Sequence, residues 1–192
     1  MILSVGAFVR VGLLLLVAVV LQLSALSQMT IVGGHADLVV LAVAAVAFYG
    51  GSSPGSAAGF TAGLLLDLLT GATMGASSLV LTAVGYAVGR FREVRDPSHG
   101  LMPIAVGVAA TAGWVLAFAA VSLMLDIGAG VSPLVLRDII VTILLNALLA
   151  VPVFTGVRRL LRPSLMVDPR QRRRRRPPPR EAGPYGLRGL EV

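Results

Sequence analysis

With 192 residues, 56% of them hydrophobic, only 13% charged and a mean hydropathy of +0.89, the chain carries more apolar side chain than a soluble domain can bury, and it reads as a membrane protein. Its formal charge of +7 is not a nucleic-acid signal, because there is no lysine and the arginines gather in loops and in the tail. The absence of cysteine excludes disulfides, thiolate zinc sites and cysteine nucleophiles, and the two histidines, His35 and His99, fall in predicted loops too far apart to suggest a metal site.

The first apolar run, residues 11–26, follows Arg10 and can be read as a first span. A signal peptide is the competing reading, but the run outlasts the usual signal core and further spans follow, which favours a retained helix. Gln22 and Ser24 then lie near its outer end as ordinary interfacial polar groups. The second apolar segment runs from Asp37, a candidate N-cap, to Tyr49. Its thirteen residues rise only ~20 Å against a hydrocarbon core of ~30 Å, so it must extend, thin the bilayer or be shielded by neighbours.

Ser53-Pro54 reads as a cap followed by proline at the first helical position, which starts a third helix that runs to about Leu69 and stops at Thr70-Gly71. Thr73 is the candidate cap of a fourth, Met74 to about Gly89. A charged loop follows over residues 90–99, closed by Asp96-Pro97. The fifth span covers about Leu101 to Leu125, with Trp114 at its middle, and ends near Asp126. The sixth covers about Leu134 to Val157; in it Pro152 should bend the helix and Asn146 needs a partner within the bundle.

These elements predict an all-α polytopic membrane protein with a six-helix transmembrane domain over 1–162 and a disordered Arg/Pro-rich tail over 163–192. With both termini on one side, Arg10, the 90–95 loop and the tail share a face and Arg137 alone lies on the other, so the positive-inside rule makes the arginine face cytoplasmic. Arg172 to Arg176 are most simply an anchor to anionic lipid headgroups; docking of a cytoplasmic partner is the sharper reading, and nucleic acid is disfavoured.

The most informative stretch is a four-residue ladder, Gly51, Gly55, Gly59, Gly63, Asp67, Gly71 and Gly75. At about 100° per residue these positions wind slowly round a helix and form a groove that another backbone can approach. In lipid such small-residue surfaces are the usual helix contacts, whether within the chain or with a partner's helix. Gly85 and Gly89 give the fourth helix its own small-residue pair. The ladder leads to Asp67, a carboxylate near the negative end of its own helix that capping there does not explain. The permanent cation on the outer side is Arg137, so a polar cluster of Asp67, Arg137 and Asp138 is expected; a solvated carboxylate at the interface is the plainer reading. No phosphate-binding glycine loop, zinc-protease pair, nucleophile elbow or DG-x-x-AR lipid-transferase pattern is present, and neither catalytic residues nor a cofactor are expected.

The stretches ADLVVLAVAAVAFYG, residues 36–50, and GSAAGFTAGLLLDLLTGATMGASSLVLTAVGYAVGRFR, residues 55–92, resemble the bacterial rod shape-determining MreD family. Asp37, Gly59, Phe60, Gly63, Leu64, Asp67, Gly75, Gly85 and Tyr86 carry the resemblance; Ala36 stands where family members often have proline, and the arginine-proline tail departs from the pattern. The resemblance implies a non-enzymatic inner-membrane scaffold of the cell-wall elongation machinery, involved in cell shape and peptidoglycan synthesis. Its implied partners are an MreC-like bitopic protein, MreB filaments, the RodA glycosyltransferase and a class B penicillin-binding transpeptidase. The implied fold is similar to the six-helix substrate-binding subunits of energy-coupling-factor vitamin transporters. That similarity supplies the alternative, a small-molecule-binding membrane subunit of a transporter. On the scaffold reading a partner's transmembrane helix packs along the small-residue surface of helices three and four.

Overall fold

A computed structural model describes residues 5–26, 34–71, 73–94, 102–124 and 133–165, and their regular structure is helical. The helices are α1 (Val5–Leu21), α2 (Leu38–Gly50), α3 (Ser52–Thr70), α4 (Ala76–Val94), α5 (Met102–Met124) and α6 (Pro133–Leu165), with a π-helical turn at Gln22–Leu26 continuing α1. The His99 loop, Asp126 and residues 166–192 of the tail lie outside the described residues.

The short helix α2 is the centre of the bundle. Its sequence, LVVLAVAAVAFYG, has no polar stripe, and a helix that is apolar all round must be surrounded. All five other helices pack on it, and every residue from Val39 to Phe48 is buried. The neighbours therefore shield a helix too short to cross a bilayer by itself, which resolves its length mismatch without stretching it.

The tightest pair is α3 with α4, an antiparallel hairpin that turns over Gly71 to Gly75. Gly71 ends α3 in the left-handed conformation at φ 64°, where a side chain would be strained. On the other side of α2, α5 and α6 pack together, and Gly107 of α5 sits against Ala150 and Leu41. The helix α6 runs unbroken past Pro152 and on to Leu165, beyond the expected end at Val157 and across the expected domain boundary at 162.

Two helices are long and apolar enough to cross a membrane, over Met102–Val121 and Arg137–Leu161. Both keep large apolar side chains on the outside, among them Leu116, Leu144 and Leu148. The helices α1 and α2 are apolar but shorter, so by length and hydropathy the described helices give two spans where the sequence reading expects six. In α3 and α4 the glycines, serines and threonines that permit close packing dilute the apolar content.

Candidate functional site

The glycine ladder is spent inside the chain. A Cβ on Gly55 would lie 2.5 Å from the Gly85 carbonyl oxygen and from the Ala47 side chain. One on Gly59 would run into the Leu81 carbonyl, and one on Gly63 into the Ser78 backbone. Gly85 returns the contact onto Gly55, and Gly89 meets Gly51 and Ser52 at 2.5 Å. Apart from the Ala47 methyl these are backbone atoms, which cannot swing aside as a flexible side chain does. The groove expected to receive a partner's helix is thus filled by α4. Gly75 is not part of it: a Cβ there would meet nothing, and the residue is a turn glycine at φ 96°.

Asp67, 1% exposed, caps α4 from the far end of α3. Its Oδ2 accepts from the Gly75 amide at 2.8 Å and the Ser78 amide at 3.3 Å, and its Oδ1 accepts from the Ser77 amide at 3.2 Å. Those are the unpaired N–H groups of a helix start, where a negative charge is also favoured by the helix dipole. The capping oxygen for α4 comes from Asp67 and not from Thr73. The cluster expected of Asp67, Arg137 and Asp138 is not assembled. Arg137 pairs instead with its neighbour Asp138 at 3.5 Å, both partly exposed, and α3 makes no substantial contact with α6, which carries them. The physical reason is that three backbone amides satisfy the buried carboxylate, so it has no need of a cation.

The opposite end of the hairpin repeats the arrangement. Glu93 Oε1 accepts from the Ser52 amide at 2.9 Å and from the Ser52 hydroxyl at 2.7 Å, and its Oε2 accepts from Arg90 at 3.2 Å. So α3 begins at Ser52, capped by a carboxylate of α4, and Ser53 does not cap it. Glu93 lies in the charged end of α4 beyond Gly89; the Ser52 amide and hydroxyl, then Arg90, hold its carboxyl below the ordinary 4.5.

A second polar set, built from Gln22, Asp37, Thr111 and Asn146, ties four helices together at the start of α2. Asp37 occupies the N-cap position, yet its carboxylate makes no capping bond. Gln22 Oε1 accepts from the Val39 amide at 2.8 Å, and Asn146 Oδ1 accepts from the Asp37 amide at 2.9 Å. Gln22 Nε2 donates to Asp37 Oδ1 at 3.0 Å, with His35 Nε2 at 3.8 Å from the same oxygen. Asn146 Nδ2 donates to Thr111 Oγ1 at 2.9 Å, and that hydroxyl donates to the Gly107 carbonyl at 2.8 Å. Gln22 is therefore a working cap and not an interfacial bystander; the π-helical turn that begins at it is the only local mark of that role. The need of Asn146 for a partner is met twice.

At the arginine end, Arg92 donates to the Tyr49 carbonyl at 2.6 Å, an unpaired acceptor at the end of α2, and lies 5.9 Å from the centre of the Phe48 ring. Phe48, Tyr49 and Phe154 meet edge to face at 5.2 to 6.2 Å.

Among the described cavities, one of about 570 Å³ lies on the hairpin, lined by Phe60 and Tyr86 together with Ser78, Leu79 and Thr82. Another, of about 410 Å³, separates α4 from α5. No group of three or more metal-ligating side chains occurs among the described residues.

The family model described as rod shape-determining protein MreD matches residues 3–163. No curated protein and no solved structure gives a match.

Proposed function

The chain belongs to the rod shape-determining protein MreD family, and on that premise we propose that it is a non-enzymatic scaffold subunit of the cell-wall elongation complex. It lies in the bacterial inner membrane as six spans with both termini cytoplasmic. The observation that carries the scaffold reading is the use made of its buried polar groups. Asp67, Gln22 and Asn146 are all engaged in closing helix ends, so the buried polar chemistry holds a shape instead of converging on a substrate. The surface that the large cavities expose is chiefly apolar, which suits a helix or lipid contact better than the polar solute required by the transporter-subunit alternative.

With the glycine face occupied, the partner's surface moves to the outer side of the same hairpin. There Phe60 and Tyr86, each more than half exposed, frame the cavity over Ser78 and Thr82. We assign this groove to the single transmembrane helix of an MreC-like partner, with MreB, RodA and the class B transpeptidase assembled through it. Aromatic side chains around a small-residue floor offer a large contact area at low conformational cost.

The test is a pull-down of the full chain from mild detergent, with mass spectrometry of the membrane proteins that accompany it. Tyr86→Ala with Ala83→Trp should abolish co-purification of a bitopic partner while leaving thermal stability unchanged. Normal recovery of that partner by the doubly substituted, folded protein overturns the assignment. Orientation is tested separately with single cysteines at Gly128 and Ser98, positions outside the described residues: the first should label from outside, the second only after permeabilisation.

A further inference from the structure

We propose that the arginine end of the bundle holds one anionic phospholipid, its phosphate on Arg92 and Arg158 and an acyl chain in the groove between α4 and α5. The inference relies on the membrane placement above but not on the scaffold role or its partner.

Two observations meet at this end. The first is the groove itself, about 410 Å³, with Val84, Val88 and Phe91 on one wall and Met102, Val106 and Ala110 on the other. Its lining is almost wholly apolar, and it runs from the first turn of α5 toward the middle of the bundle, along the direction an acyl chain takes from its headgroup. The second is charge that has no acidic partner among the described residues. Arg92 of α4 donates to the Tyr49 carbonyl, and Arg158 of α6 is near enough for its charge to act on the same tyrosine. Arg92 adjoins Phe91, which lines the groove. Glu93 is the only carboxylate at that end among the described residues, and it is already engaged by Ser52 and Arg90. Neither Arg92 nor Arg158 has an acidic partner among the described residues.

The Tyr49 carbonyl accepts one N–H of Arg92 and leaves others of the guanidinium to donate. A phosphodiester supplies the missing negative charge and several acceptors, and guanidinium groups suit phosphate oxygens.

The experiment is native mass spectrometry of the full chain released from nanodiscs of equimolar phosphatidylglycerol and phosphatidylcholine. High salt screens lipid held merely by the arginine tail, whereas a chain seated in the groove stays. The wild type should keep one phosphatidylglycerol per chain in preference to phosphatidylcholine. Arg158→Gln should reduce that preference about fivefold. Ala109→Trp, which fills the groove, should remove the retained lipid altogether, with circular dichroism and melting reporting an intact fold; Ala105→Leu serves if the tryptophan variant does not fold. Equal retention of the two lipids by the wild type, or undiminished phosphatidylglycerol on a folded groove-filled variant, overturns the proposal.

Discussion

Asp67 and Glu93 exchange places across one helical hairpin: Asp67, near the end of α3, caps the start of α4, and Glu93, near the end of α4, caps the start of α3. Each carboxylate lies close to the negative end of its own helix, where the dipole opposes it, and beside the positive end of the neighbouring one, where the dipole favours it. Antiparallel packing makes both possible at once. The glycines between them let the helices approach until each carboxylate reaches the other's free amides.

Replacing Asp67 separates its charge from its capping role. Asp67→Asn keeps one acceptor oxygen but turns the other into an NH2 facing a backbone N–H and should cost about 1–3 kcal/mol, whereas Asp67→Ala strands all three buried amides at about 1–3 kcal/mol each. Thermal unfolding in detergent should rank wild type, Asn, Ala in that order. Equal melting of the alanine variant and the wild type would show that the amides find other partners.

The glycine contacts make a graded prediction. Gly59→Leu and Gly63→Leu push carbon into backbone and should cost at least the 1–3 kcal/mol of ordinary overpacking, enough to abolish monodisperse protein. Gly12→Ala and Gly113→Ala, where an added Cβ meets nothing, should behave as wild type. Size-exclusion profiles of the four variants decide the point, and a well-behaved Gly63→Leu protein contradicts the packing described.

Gln22 and Asn146 should be energetically coupled, because they serve the Val39 and Asp37 amides, two residues apart at one helix start. Gln22→Ala and Asn146→Ala should each lose about 1–3 kcal/mol, and the double variant should depart from additivity by about 0.5 kcal/mol or more. Strict additivity in a double-mutant cycle would mean that the two caps act independently.

The Glu93 cap has a pH signature. Since folding lowers its carboxyl below 4.5, its contribution is complete above that value and fades as the pH falls through the lower, folded value. Acidification should therefore loosen the Ser52 end of the hairpin, read as faster proteolysis near Gly51. In Glu93→Gln this acid sensitivity should be absent.

Much of the architecture could be read from residue types alone. Apolar runs between turn residues located all six helices, the stop at Thr70-Gly71 fell where Gly71 turns left-handed, and the ladder of Gly55, Gly59 and Gly63 announced a close helix contact. What the residue types misdirected was the capping. Asp37, Ser53 and Thr73 each stand where a local cap belongs, yet the work falls to Gln22 with Asn146, to Glu93 and to Asp67.

By itself, then, the sequence determined that this is a largely apolar helical bundle, and where its backbones can touch, because apolarity and the lack of a side chain are properties of single positions. Only the tertiary structure decided which polar group answers which helix end. Asn146 reaches the Asp37 amide across 109 residues and Glu93 reaches Ser52 across 41, and such pairings exist only once the helices have packed. A helix start buried away from water takes whatever acceptor the fold brings to it, so proximity in space prevails over proximity in the chain.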